Sequence, residues 1–85
     1  MSVKIQKKDG RLEDFDRNKV LMGAIKSGAS GEEAENVAKQ VEAWVETAAV
    51  NGVMNSSEVR SKVLEILRSV NPGVAVSFES HKKSA

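Results

Sequence analysis

The run Val3-Lys4-Ile5-Gln6-Lys7-Lys8-Asp9-Gly10-Arg11-Leu12-Glu13-Asp14-Phe15-Asp16-Arg17-Asn18-Lys19 decides how this chain folds. Asp9-Gly10 is its pivot, because a two-residue type I′ turn needs positive φ at both central positions and Asp-Gly supplies them readily. Two short strands, over residues 3–8 and 11–15, are expected to pair across that turn. A helix follows at once, with Asp16 as its cap. The hairpin carries Lys7, Lys8 and Arg11, the first helical turn carries Lys19, and Glu13 lies between them. Cations grouped around one carboxylate suit a polyanion with a polar body, such as a nucleotide. The plainer reading of the same charges is a solvated surface hairpin.

Working outward, helix one is expected over residues 16–27, with Val20, Leu21, Ala24 and Ile25 at helical spacing and Gly28 as its stop. Gly23 inside it marks a close backbone contact. Ser30-Gly31-Glu32-Glu33 has the form of a capping box. It opens a second helix to about residue 49, whose inner face is Val37, Val41, Trp44, Val45 and Ala48. Trp44 at that spacing reads as a core anchor rather than a stacking platform for a base. Gly52-Val53-Met54 suits a third strand, and Asn55-Ser56-Ser57-Glu58 repeats the capping signal. Helix three then runs to about residue 70 through Val59, Val63, Leu64, Ile66 and Leu67, and Asn71-Pro72-Gly73 stops it. Pro72 also suits the first turn of a last helix. Residues 74–83 read as that helix and 81–85 as a polar tail that frays.

The expected architecture is α+β: a small antiparallel sheet, either a β-hairpin or three-stranded, capping a three- to four-helix bundle. One domain covers residues 1–85, with its core in about 3–80. A small sheet needs a helix layer to bury one face. The site is therefore expected at the outer face of the sheet or at its junction with helix one.

Composition narrows the function. Hydrophobic residues make up 40% and charged residues 29%, an ordinary globular balance that excludes a disordered chain. Aromatics are confined to Phe15, Trp44 and Phe78, so the core must come from Val, Ile, Leu, Ala and Met. A net charge of +1 argues against nucleic acid as a partner, since non-specific binding needs a strong excess of cations. Cysteine is absent, which excludes disulfides, thiol nucleophiles and Cys-based zinc sites. No apolar run suggests a leader or a membrane span, and a cytoplasmic location with no membrane partner is expected.

Catalysis is not expected. Neither a Walker A run nor a G-x-G-x-x-G occurs. The single histidine, His81, falls in the expected tail, and Ser56 and Ser57 have no histidine near them in sequence. Glu13, Asp14 and Asp16 form an acidic cluster suited to Mg²⁺, although Mg²⁺ usually arrives with phosphates. A phosphate site here would have to be built from side chains and helix-end amides.

The order of residues adds a resemblance. A short strand, Lys7-Lys8-Asp9-Gly10, four residues, Phe15-Asp16, two residues and Lys19 before an apolar helix resembles the ATP-cone domain. That family is the nucleotide-binding regulatory module of many ribonucleotide reductases and of the repressor of their genes. The resemblance is strongest over residues 3–25 and continues more loosely to about 80. It implies a small β cap over a four-helix bundle and a ligand of ATP or dATP, with Mg²⁺ as an optional companion. Carried over residue by residue, it puts Ile5 against the base, and Lys7, Lys8 and Lys19 on phosphates. Glu13 would accept from the base or ribose, and Asp16 or Asn18 would cap helix one and orient the nucleotide. Ser56 would join the amides of helix three in an anion site. The resemblance also implies a stand-alone module acting by ligand-dependent association, with ribonucleotide reductase or a second copy of the chain as partner. The family's C-terminal Tyr, Arg and second Tyr are missing from Val74-Ala75-Val76-Ser77-Phe78-Glu79-Ser80-His81-Lys82-Lys83, while Phe78 and Ser80 remain. The alternative function is an interaction domain of the same fold that has lost the nucleotide, with Ala34, Ala38, Ala48 and Ala49 lining a helix–helix contact.

Overall fold

A computed structural model describes residues 3–83 of the chain. In chain order the elements are β1 (Lys4–Gln6), β2 (Leu12–Asp14), α1 (Arg17–Lys26), α2 (Gly31–Ala48), β3 (Val53–Asn55), α3 (Ser56–Val70) and α4 (Pro72–Lys83). The strands are three residues each, shorter than the sequence pattern predicts.

The hairpin forms with a different turn from the one expected. Lys7 N–H donates to the Arg11 carbonyl at 2.8 Å, and Gly10 N–H donates to the Lys7 carbonyl at 2.9 Å. Within the loop only Gly10 has positive φ, +91°. This is a three-residue loop ending in a left-handed residue. Asp9 stays outside that region while its carboxylate accepts from Arg11 N–H at 3.1 Å and from Arg11 Nε at 2.8 Å. The two-residue Asx-Gly hairpin loop occurs elsewhere, at Asn51-Gly52, where φ is +53° and +76°. Val50 and Val53 exchange both backbone hydrogen bonds across it at 3.0 Å. That turn aims β3 back at β1.

The sheet order is β2-β1-β3. β1 and β2 are antiparallel with Ile5 opposite Glu13, whereas β1 and β3 are parallel with Ile5 opposite Met54. The wholly antiparallel sheet expected from sequence is thus corrected to a mixed one. β3 reaches β1 only after the chain has crossed through α1 and α2, and such a crossover makes a parallel neighbour. Because strand side chains alternate, Ile5, Glu13 and Met54 share the inner face, while Lys4, Gln6, Leu12, Asp14 and Asn55 share the outer one. Ile5 and Met54 are buried, and the five outer residues are exposed.

Beneath the sheet, Val37, Val41 and Val45 recur every fourth residue along α2 and meet Val63, Ile66 and Leu67 of α3. Ala24 of α1 and Ala34 of α2 are fully buried where those helices meet closely. Ala38 is buried as well, and Ala48 and Ala49 pack against the core, so the alanines are used inside the domain rather than left for a partner. Ile25, at helical spacing with Val20, Leu21 and Ala24, is exposed, whereas Val20 and Leu21 are half-buried.

Trp44 is half-buried rather than a full core anchor. One part packs on the core, while Lys62 Nζ lies 5.5 Å from its ring centroid on the other side. α4 starts at Pro72, earlier than expected, and packs through Val74, Ala75 and Phe78. A Cβ at Gly23 would lie 3.7 Å from Phe78 Cε1, ordinary van der Waals contact with a side chain rather than the close backbone contact expected there. Missing family aromatics therefore leave the fourth helix in place. Residues 81–83, expected to fray, continue α4, while Ser84 and Ala85 of that tail lie outside the described residues.

Local capping fixes where the helices begin. Asp16 accepts from Asn18 N–H at 2.9 Å, and Asn55 accepts from Ser57 N–H at 2.9 Å. Ser30 and Glu33 make the full reciprocal box, at 3.1 and 3.0 Å. The Ser30 amide first, and then Asn71 Nδ2 from the α3–α4 junction, hold the Glu33 carboxyl below its ordinary range. A lowered carboxylate contributes stability above its unfolded pKa and loses it as pH falls through the folded one. Glu33→Gln retains both capping contacts, so its thermal stability is expected to fall less steeply on acidification than that of wild type. Identical acid profiles in paired melts would show that Glu33 contributes no such linkage.

Candidate nucleotide cleft

The sheet's inner face, α1, the start of α3 and Phe78 of α4 line an open cleft of about 810 Å³. That volume lies in the range of small-molecule sites. Ile5, Lys7, Lys8, Glu13, Asp16, Lys19 and Ser56, singled out from sequence, line it, whereas Asn18, the alternative to Asp16, does not. They come from β1, the hairpin loop, β2, two helix starts and the cap before α1. Of the two expected locations, the junction with α1 holds this cleft and the outer sheet face does not.

Strand alternation explains the grouping. Ile5 and Lys7 lie on one face of β1, and the register sets Glu13 beside Ile5. One oxygen of Glu13, Oε1, lies 3.6 Å from Lys7 Nζ and 3.5 Å from Lys19 Nζ. Lys4 points the other way, pairs with Asp14, and does not line the cleft. Asp16 is engaged in capping α1, which fixes the entry of that helix beside Lys19. Ser56 is the first residue of α3, brought there because β3 runs into that helix with no intervening loop.

The acidic cluster expected for Mg²⁺ is not assembled. Among the described residues no group of three or more acidic or histidine side chains could hold a metal ion. Glu13 and Asp14 are adjacent on a strand and so project to opposite faces, and Asp14 is taken by Lys4.

Several lining residues were not found from sequence. Phe15, Val20, Val59 and Val63 give the cleft an apolar side, with Val63 buried. Arg60 of α3 lies with Cζ 4.8 Å from the Phe78 ring centroid, a cation–π arrangement. It supplies positive charge from α3. Helical spacing from Ser56 puts Arg60 one turn on, along the same face, and that signal was available. Its pairing with Phe78 was not, because it joins two helices. The cleft thus combines lysines, apolar side chains and a donor-only guanidinium, a set able to hold an anion attached to a flat ring.

The profile of the ATP cone domain family matches residues 3–82. The transcriptional repressor NrdR of Petrotoga mobilis is 33% identical over 92% of this chain and 54% of its own length. NrdR of Gloeothece citriformis is 32% identical over 92% of this chain and 45% of its own. NrdR of Dictyoglomus thermophilum is 32% identical over 92% and 54%. The chain spans about half the length of these curated relatives. They also correct one expectation. Net charge had argued against nucleic acid as a partner, yet the relatives are transcriptional repressors. A charge of +1 describes the surface of one domain. It does not exclude control of transcription by a protein that contains such a domain.

Proposed function

We propose, from the premise that this chain belongs to the ATP-cone domain family, that it is a regulatory module binding ATP or dATP in the cleft without turning it over. The observation that carries this reading is the cleft itself, where Lys7, Lys8 and Lys19 adjoin an apolar side. Lysine point charges suit phosphates, and Val20, Val59 and Phe78 offer a base the apolar surroundings that small-molecule sites commonly provide. The helix start at Ser56 adds amides that favour an anion. Mg²⁺ would come with the triphosphate, since the described residues offer no cage for it.

Regulation then follows from differential affinity. A nucleotide that prefers one packing of α1, α3 and α4 shifts the population toward it, and a partner surface changes with it. The repressor relatives bring transcription into the range of processes such a module would serve. A second copy of the chain and ribonucleotide reductase are the other partners in view.

Calorimetry with Mg-ATP, Mg-dATP and Mg-GTP tests the reading directly. Saturable binding of the adenine nucleotides is expected, with no phosphate released above background. Absence of heat and of amide shifts at millimolar ATP would sink it in favour of an interaction domain that has lost the ligand. Turnover abolished by changing Glu13 or Asp16 would show an enzyme instead.

A further inference from the structure

Glu13 occupies an unusual position for a residue of an anion site. It is a carboxylate set on the inner face of β2, within 3.6 Å of Lys7 and 3.5 Å of Lys19, and one oxygen serves both. Both separations exceed hydrogen-bond range for an N–H donor. The pairing is therefore held by charge, with neither lysine locked in place. Arg11 differs, because its Nε is hydrogen-bonded at 2.8 Å to a near neighbour, Asp9. Lys8 differs again, since no carboxylate lies within ion-pair distance of it among the described residues.

We propose that Glu13 is a built-in competitor for the phosphate chain: it neutralises Lys7 and Lys19 in the free protein and must be displaced before a polyphosphate can take them. This rests on the nucleotide reading of the cleft and deepens it. Lys8 is the cation left for first contact. A phosphate chain arriving there exchanges onto Lys7 and Lys19 while Glu13 gives way. The displaced carboxylate remains tethered to β2 beside the bound phosphates, and like charges at such separations repel. Every anion therefore binds more weakly than the lysines alone would allow. A regulatory site benefits from that, because a sensor of an abundant nucleotide must respond at high ligand concentration rather than saturate at low.

The sign of one substitution tests this. A residue that merely contacts the ligand weakens binding when removed, whereas a competitor strengthens it. The base-free probe is tripolyphosphate, titrated calorimetrically into wild type and Glu13→Gln at low salt, with Mg-ATP titrated into both alongside. Glu13→Gln keeps the size of the side chain, and an exposed ion pair contributes little to folding, so the variant is expected to melt near wild type. Tripolyphosphate is expected to bind Glu13→Gln roughly fivefold more tightly, as removal of one like charge at a few ångströms predicts. The gain should shrink as added salt shortens the screening length. Glu13→Ala should show the same direction.

If Glu13→Gln binds tripolyphosphate no better than wild type, the competitor role is overturned while the nucleotide reading stands. If Mg-ATP weakens in that variant and tripolyphosphate is unchanged, Glu13 is a base or ribose contact and the proposal is again overturned. Failure of wild type to bind Mg-ATP would withdraw both the nucleotide reading and this inference.

Discussion

Lys7→Ala combined with Lys19→Ala is expected to weaken Mg-ATP binding by about a hundredfold or more. A hydrogen bond to a charged group contributes about 1.5–3 kcal/mol, roughly ten- to a hundredfold in Kd for each lysine. Both side chains are accessible, and screening pushes each single effect toward the lower end. The double variant should nonetheless exceed the product of the singles. With one lysine removed, the other still neutralises Glu13, whose Oε1 lies within 3.6 Å of both. With both gone, that carboxylate is left unpaired in the site and repels the incoming phosphates. The measurement is a double-mutant cycle by calorimetry, with Lys4→Ala as control. Lys4 lies on the opposite sheet face, paired with Asp14 and outside the cleft lining, so its removal should change affinity little. Equal losses for Lys4→Ala, Lys7→Ala and Lys19→Ala would reduce the effect to bulk charge and reject these lysines as a phosphate grip.

Leu67→Ala is expected to have the largest effect on stability. Leu67 is fully buried on α3 and is the largest side chain so enclosed. Truncating a buried leucine costs about 2–5 kcal/mol, the transfer term plus the cavity left behind. For a domain of this size total stability is on the order of 5–10 kcal/mol, so a large share is lost. The melting midpoint should fall by roughly 10 °C or more. Leu12→Ala is the matched control: Leu12 is 55% exposed on the outer sheet face, and such sites usually change stability by no more than about 0.5 kcal/mol. Comparable midpoints for the two variants would show that the α2–α3 core is not where the domain is held together.

The helices and the hairpin were legible because their signals are local. Ser30 with Glu33, Asp16 before α1 and Asn55 before α3 act over two or three residues. The same is true of the four-residue spacing of Val37, Val41 and Val45. Turn chemistry was read less well. Asp9-Gly10 took a three-residue loop because the Asp9 side chain could satisfy Arg11 from an ordinary backbone conformation. Asn51-Gly52 carries the same signal and does form the two-residue loop. Trp44 lies at core spacing, yet it is half-buried, with Lys62 Nζ 5.5 Å from its ring centroid.

Sequence by itself determined the α+β class, the helix starts, and the grouping of Lys7, Lys8, Glu13 and Lys19 around the hairpin and the first turn of α1, whereas Ile5, Asp16 and Ser56 are site candidates by the family resemblance. The hairpin run is short and ordered, so strand alternation sets Lys7 on the face of Ile5. Tertiary structure alone decided the parallel pairing of β1 with β3, the choice of the inner sheet face for the cleft, and the placing of Arg60 over Phe78. Each of these joins elements far apart in the chain. Which distant segments meet is set by the burial of Ile5, Met54, Val63 and Leu67 together. No local pattern encodes that: the hydrophobic effect is non-directional, and only the packed whole specifies which faces it brings into contact.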